Sequence, residues 1–269
     1  WLSRALEPVA VPMPNTRAVA VLRATLEDAA GRVLQRNFTS FVVGEGASPR
    51  DETLAVDGGS LRVLRMAPDR VSGVLWSERH WTAMDGRKQN GAGAGFFEYR
   101  LAWPAGLRPG DVLGASFVAE LGAKQLFGKD RRDKGSVQGD FMLGGGTHDP
   151  GLNPNAYPMT DGVRHPSAVR IVVNGVTLGT FELPDDAADH RGLLSWHAQK
   201  RDGRLDEAGS HGTLVSASMS AEALRAAAAA GELRVRLEVD EALPGGLAVY
   251  GEQAGRYPVD PTVVLALGR

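Results

Sequence analysis

The segment HRGLLSWHAQKRDGRLDEAGSHG, at 190–212, gathers many side chains that are capable of chemistry. It holds three of the six histidines, at spacings of seven and fourteen residues, together with Trp196 and the adjacent carboxylates Asp206 and Glu207. The spacing contains neither an HExxH motif nor a helical i, i+4 histidine pair, which argues against zinc. Adjacent strand residues point to opposite faces, so Asp206 and Glu207 could flank one glycosidic bond only from a loop. The segment predicts loops locked at one end of a β-fold, with Trp196 and His197 as candidate sugar contacts and catalysis as the less favoured alternative.

The composition excludes several kinds of site. The chain has 269 residues, a formal net charge of -2 and no cysteine. Without cysteine there are no disulfides, thiolate metal ligands or cysteine nucleophiles. The charge provides no basic field for phosphates, and no run approaches the roughly 18 apolar residues of a membrane span. We therefore expect neither a nucleic acid nor a membrane as partner.

The motif WSERHW, at 76–81, combines aromatic rings with polar groups, as a sugar site requires. The C–H face of a sugar stacks on Trp or Tyr, while Arg, Asp and His side chains bond to its hydroxyl groups. Trp81 runs into the polar, Gly-rich segment TAMDGRKQNGAGAG, so we expect an exposed ring with Arg79 and His80 beside it. Trp76 is a further candidate, with a place in the core as the alternative.

A long polar segment at 128–167 provides the second half of this predicted sugar platform. Tyr157 lies between Pro154 and Pro158, whose stiff backbone lowers the entropy that is lost when a ring is presented to a ligand. Asp161 would add a hydrogen bond to the sugar. The alternative is that the tyrosine only fixes the loop.

The same segment offers oxygen ligands for a structural calcium ion. Asp149, Asn153 and Asp161 lie in or just after THDPGLNPN, and calcium binds six to eight oxygens. Their spacing does not match an EF-hand, and Asx-turns formed by the same kinds of side chain are the alternative. No cofactor is required by the sequence, and a structural calcium is an open alternative.

Alternation of apolar and polar residues with a period of two recurs along the chain and predicts strands. GELRVRLEVDEA, at 231–242, is the clearest case, and Asn174-Gly175 is a strong hairpin signal. One helix is predicted, capped by Ser220 and ended by Gly231. Because strands and helices do not alternate regularly, the sequence predicts an all-β antiparallel sandwich with one short helix.

Three regions are predicted. Residues 1–45 hold a hairpin around Ala29-Ala30-Gly31, which is either the tail of an immunoglobulin-like domain or an addition to the main sandwich. The polar stretch GASPRDE places a linker at 46–60, and the β-sandwich itself is predicted at 61–269. The start WLSRAL does not resemble a signal peptide, and we expect it to be a cut within a longer protein.

A family resemblance rests on the phrases HRGLLSWHAQ, LDEAGSHG, LRVRLEVDE and GGLAVYGEQAGRYPVDPTVVL. They resemble the C-terminal β-sandwich region of large bacterial family 2 glycoside hydrolases, the β-galactosidase and β-glucuronidase group. TRAVAVLRATLEDAAGRVLQRNFTSFVV is similar to the closing hairpin of their immunoglobulin-like domains. The resemblance implies a jelly-roll, galactose-binding-like sandwich. The family's catalytic glutamates lie in a TIM barrel that this chain does not show, so the resemblance transfers no catalytic residue.

These observations predict a non-catalytic carbohydrate-binding module, ancillary to a bacterial polysaccharide-degrading glycoside hydrolase. Its expected partners are a polysaccharide or oligosaccharide and the catalytic domain of the parent protein. The expected location is the periplasm or the exterior. One alternative is an architectural domain that braces a catalytic barrel or a dimer. The other is a glycosidase segment whose active site is completed elsewhere.

Overall fold

The computed structural model describes residues 10–13, 17–44, 48–77, 79–82, 88–123, 167–183, 212–241, 246–253 and 257–268. These residues form antiparallel sheets and one α-helix, so the predicted all-β, sandwich-like fold is confirmed. No helix in this part of the chain has the length and apolar character needed to cross a membrane. The strands are β1 (Ala18–Glu27), β2 (Val33–Val43), β3 (Asp51–Val56), β4 (Gly59–Arg65), β5 (Gly73–Trp76), β6 (Arg79–Thr82), β7 (Lys88–Ala92), β8 (Gly95–Ala102), β9 (Val112–Gly122), β10 (Ser167–Val173), β11 (Val176–Leu183), β12 (Thr213–Ser218), β13 (Glu232–Val239), β14 (Leu247–Tyr250) and β15 (Thr262–Leu267).

The predicted N-terminal hairpin is confirmed as a two-stranded sheet of β1 and β2. Its turn is closed by Asp28, whose carboxylate accepts hydrogen bonds from the backbone N–H of Ala30 at 3.0 Å and of Arg32 at 2.9 Å. Gly31 takes the positive φ that this turn needs. The hydrogen bond from the backbone N–H of Arg32 contributes most to lowering the pKa of the Asp28 carboxyl.

The range 46–60, predicted as a linker, contains a strand, and the division of the chain into three regions stays a prediction. Strand β3 lies within that range and pairs along its whole length with β4. The turn between them is Asp57-Gly58, with Gly58 at φ 87°, a hairpin signal that the charged composition of the segment obscured. Ion pairs from Arg62 and Arg65 to the β3 carboxylates hold the hairpin together.

A five-stranded sheet has the order β11-β10-β13-β8-β5. The alternation predicted for β13 is confirmed, because its four apolar residues are fully or almost fully buried and its charged residues lie on the opposite, outer face. Asn174-Gly175 forms the predicted turn between β10 and β11, and the Asn174 side chain also accepts from the backbone N–H of Arg234 at 3.0 Å. The inner face packs in the main core, which also holds Phe97 and Tyr99 of β8.

The larger sheet contains one strand that is interrupted. β12 pairs with one edge of β9, while β14 and β15 pair one after the other with the opposite edge. Tyr250 pairs with Glu120 and Thr262 with Val118, so the two short strands are collinear, and the chain between them makes an excursion. β7 and β6 extend the sheet beyond β14, and β4 and β3 extend it beyond β15.

The predicted helix is confirmed as α1 (Ala221–Ala230). The Ser220 hydroxyl accepts from the backbone N–H of Ala223 at 3.2 Å, and Gly231 ends the helix at φ 68°. α1 buries Ala223 and Leu224 in the core shared by the two larger sheets.

Candidate functional site

The WSERHW motif forms a corner at which the chain passes from one sheet to the other. β5 and β8 pair in the five-stranded sheet, whereas β6 and β7 pair in the larger sheet, so one long hairpin is folded across the end of the sandwich. Two hydrogen bonds stabilise the bend. The Ser77 N–H donates to the Ala94 carbonyl at 2.8 Å, and the Ala94 N–H donates to Ser77 Oγ at 3.0 Å. A Cβ on Gly95 would meet the backbone of Leu75, so a side chain there would prevent this close approach.

Trp76 packs inside this corner. Trp76 is 9% exposed, and the centre of its ring lies 4.9 Å from the centre of the Phe97 ring. A Cβ on Gly91 would collide with the indole ring, so the indole occupies the space that the glycine leaves open. This burial favours the core alternative for Trp76 over the predicted sugar contact.

The other three residues of the motif that we predict to bind sugar lie on β6. Arg79 pairs with Ala92 and Trp81 with Asn90, while the side chains of residues 79–81 lie outside the described part. The segment after Trp81 was expected to be a polar loop. It contains strand β7, so this expectation was wrong. The platform prediction for Trp81, Arg79 and His80 stays a prediction.

The remaining predicted site residues lie outside the described residues. These are Tyr157, Asp161, Trp196 and His197 for sugar binding, and Asp149, Asn153 and Asp161 for calcium. Asp206 and Glu207 of the 190–212 segment are also outside them. Within the described ranges no group of three or more His, Asp or Glu side chains could hold a metal ion.

A cleft of about 560 Å³ opens beside the corner, on the outer face of the five-stranded sheet. We call it the corner cleft. Its apolar side is formed by Leu75, which is 64% exposed, and by the half-buried Phe96, which pairs with it across β5 and β8. Its polar side is formed by Arg170, Glu238 and Asp240 from β10 and the end of β13.

An ion-pair ladder crosses the sheet next to this cleft. Glu98 accepts from Arg236 Nη2 at 2.6 Å and Nε at 2.9 Å, and from Arg100 Nη2 at 3.2 Å. Burial raises the pKa of the Glu98 carboxyl, but the hydrogen bonds from Arg236 and Arg100 outweigh burial and hold that pKa below its usual value. The guanidinium of Arg236 also lies 4.3 Å from the centre of the Phe96 ring, which holds one side of the ring in place.

The ladder continues to the polar side of the cleft. Glu238 accepts from Arg170 at 2.8 Å, and Arg236 lies 3.7 Å away from its other carboxylate oxygen. Half-exposed pairs of this kind contribute little to stability one by one, but they fix the direction of the side chains. The corner cleft therefore presents an apolar floor with oriented donors and acceptors beside it.

Sequence reasoning missed Leu75, Phe96 and Asp240 as site residues. The alternation of GFFEYRLAW places Phe97, Tyr99 and Trp103 on one face and assigns Phe97 and Trp103 to the core, so it also directs Phe96 to the opposite face. That outward aromatic was the signal available. The partners across the cleft come from β10 and β13, which only the sheet order brings near β5.

A second polar cluster lies where the strand is interrupted between β14 and β15. Glu120 is fully buried and accepts from the backbone N–H groups of Gly212 and Tyr257, both at 2.7 Å. Asp260 accepts from the N–H of Glu252 at 2.8 Å, which ties the two ends of the excursion together. Burial raises the pKa of the Asp260 carboxyl to about 6.

Comparisons with known proteins add no relative. No family model matches the chain, and a search of curated proteins finds no significant match. The resemblance to the C-terminal region of family 2 glycoside hydrolases stays a prediction from the sequence phrases.

Proposed function

We propose that this chain is a non-catalytic carbohydrate-binding β-sandwich module and that the corner cleft is its sugar site. The observation that carries the proposal is the pairing of an apolar floor, the exposed Leu75 and the half-buried Phe96, with the polar side chains of Arg170, Glu238 and Asp240. The cleft volume of about 560 Å³ lies within the usual range of roughly 300–1,000 Å³ for small-molecule sites.

The chemistry of the cleft matches the two surfaces of a sugar. The C–H face of a pyranose ring would lie on Leu75 and Phe96, releasing water from apolar surface on both partners. Arg170 would donate to ring or hydroxyl oxygens, while Glu238 and Asp240 would accept from hydroxyl groups. Arg236, stacked on Phe96, keeps the floor in place before the ligand arrives, so less ordering is needed on binding.

The same proposal extends to the parent protein and its location. A module of this kind, attached to a polysaccharide-degrading glycoside hydrolase of family 2, would keep the catalytic domain close to its polymer and raise the local substrate concentration. The substrate is then a polysaccharide, and the place of action is the periplasm or the exterior. This part is supported by the sequence resemblance alone.

One observation favours the architectural alternative. The β1–β2 hairpin forms a sheet by itself among the described residues, yet Val21, Leu22 and Leu34 are largely exposed. A two-stranded ribbon is at best marginally stable in water, so this hairpin favours contact with another protein segment. If the role is architectural, variants with substitutions in the corner cleft should give the same result as the parent chain in every sugar-binding measurement.

Affinity electrophoresis tests the proposal directly. The chain is run through gels that contain xylan, glucomannan, galactan, arabinan or mixed-linkage β-glucan, and retardation by one of them is expected. Leu75→Ser should weaken that binding about 5- to 30-fold, since roughly 1–2 kcal/mol of apolar contact is lost. Leu113→Ser is the matched control, because Leu113 is a 75% exposed strand leucine on β9, outside the corner cleft.

Two results would count against the sugar site. The first is that no polysaccharide retards the folded chain. The second is that Leu75→Ser and Leu113→Ser bind equally well, with circular dichroism showing that both are folded. Equal binding would move the site elsewhere, and Trp81→Ala would then test the platform predicted on β6.

A further inference from the structure

A second depression adjoins the corner cleft on the outer face of the five-stranded sheet. It has a volume of about 250 Å³, and Val172, Arg234 and Arg236 line it. Glu238 lines both this depression and the corner cleft. The two depressions therefore adjoin each other at this side chain, and we call the surface that they form together the sheet groove.

The sheet groove follows β13. Arg234 lies at one end of it, and Asp240 and Glu241, just beyond the strand, lie at the other. A strand rises about 3.3 Å per residue, so positions 234 to 241 span on the order of 20 Å. A surface of this length accommodates more than one sugar ring.

The end of the groove at Arg234 carries an exposed cation. The Arg234 side chain is 42% exposed, and its Nη2 donates to Glu232 at 2.8 Å. A guanidinium has several N–H donors, so its accessible N–H groups can donate to ligand hydroxyl oxygens while the pair with Glu232 is kept. Val172 lies in the same depression and offers a small apolar surface beside the donor.

The middle of the groove is different, because its charges already satisfy each other. Glu98, which lines the smaller depression together with Arg236, accepts from Arg236 and from Arg100. Breaking these pairs to bind a ligand would leave a mostly buried carboxylate without its partners. The middle therefore acts as a fixed floor, while selective contacts are made at the two ends.

We infer that the sheet groove binds an internal stretch of an extended glycan chain, several sugar units at once, and that Arg234 contacts the units far from the corner cleft. This inference rests on the proposed function, because it extends the same sugar site along β13. It assigns Arg234 as a determinant of ligand length, with one end of the bound stretch at Leu75 and Phe96 and the other at Arg234.

The test is a length series. Oligosaccharides from disaccharide to hexasaccharide, prepared from the polysaccharide that retards the chain most, are titrated calorimetrically against the complete chain. The hexasaccharide should bind about tenfold or more tightly than the disaccharide, since each 1.4 kcal/mol of added contact is a factor of ten. Arg234→Gln should reduce that ratio to near one. Arg225→Gln, an equal change at an exposed position of α1, should leave the ratio unchanged.

The outcomes separate this inference from the proposed function. If the disaccharide binds as tightly as the hexasaccharide, the ligand ends in the corner cleft and the extended groove is refuted, while the sugar site stands. If the length ratio survives Arg234→Gln in a folded variant, the chain leaves the cleft by another path and the role of Arg234 is refuted. If no oligosaccharide binds, the proposed function fails, and the inference fails with it.

Discussion

Asp260 should make the protein less stable as the pH rises from acidic to neutral. The residue lies just before β15, at the end of the excursion that interrupts the strand, and it accepts from the N–H of Glu252. Desolvation is the largest influence and raises the pKa of its carboxyl. The hydrogen bond from the Glu252 N–H lowers this pKa, the charge of Glu252 raises it, and the charges of Arg50 and Arg65 lower it. The net result is a pKa of about 6 in place of 3.8.

The sign and size of the effect follow from proton linkage. Between pH 3.8 and about 6 the folded state holds a proton on Asp260 that the unfolded state has lost. The contribution of Asp260 to the free energy of unfolding is therefore highest at and below pH 3.8, and it is lost as the pH rises through the folded-state pKa. At about 1.4 kcal/mol per pKa unit the full effect is about 3 kcal/mol. Because the residue is only partly buried, solvent screening reduces it to about 1–2 kcal/mol.

Asp260→Asn isolates this effect. The amide oxygen can still accept from Glu252, but no charge has to be held in the protein at neutral pH. Urea unfolding followed by tryptophan fluorescence should show the variant to be about 1–2 kcal/mol more stable than the parent near pH 8, with little difference near pH 4. Asp57→Asn, an equal change in the exposed β3–β4 turn, is the matched control. A variant that is less stable near pH 8, or equally shifted at both pH values, would refute the reasoning.

Two further substitutions test the corner and the sheet beside it. Gly91→Ala should destabilise the fold by about 1–3 kcal/mol, because the added methyl group collides with Trp76, whereas Gly114→Ala, which faces open space on β9, should be nearly neutral in the same thermal unfolding assay. Asn90→Leu should raise the unfolding free energy by about 1 kcal/mol, because Asn90 is 1% exposed and neither of its amide atoms has a hydrogen-bond partner in the described residues. A loss of stability on Asn90→Leu would show that the amide is needed where it lies.

Local patterns predicted the elements whose signals are contained in their own residues. The alternation of β13, the Asn174-Gly175 turn and the caps of α1 all appear where the sequence places them. Each of these depends on interactions within a few residues or on a side-chain period that one strand displays alone. The core assignment of Phe97 followed from the same period and is confirmed.

Features that depend on distant pairing were not predicted. β3 is rich in charged residues and reads as a linker, because its role as a strand is set by pairing with β4 and by ion pairs to it. β14 and β15 read as two separate strands, and only their common register on β9 shows that they continue one line. The corner cleft joins residues as far apart in sequence as Leu75 and Asp240. Short-range periodicity contains no information on such contacts.

The outer face of the five-stranded sheet shows how one surface can serve both folding and binding. Along most of it, charges are matched across neighbouring strands, as in the pairs of Glu98 with Arg236 and of Arg170 with Glu238. Such ion pairs keep an exposed sheet face soluble, and few of their groups would gain binding free energy from contact with a ligand. The matching stops at two places, at the apolar pair of Leu75 and Phe96 and at the guanidinium of Arg234, whose side chain is 42% exposed. Those are the positions where contact with a ligand would lower the free energy, so binding is expected to concentrate there and not along the middle of the ladder.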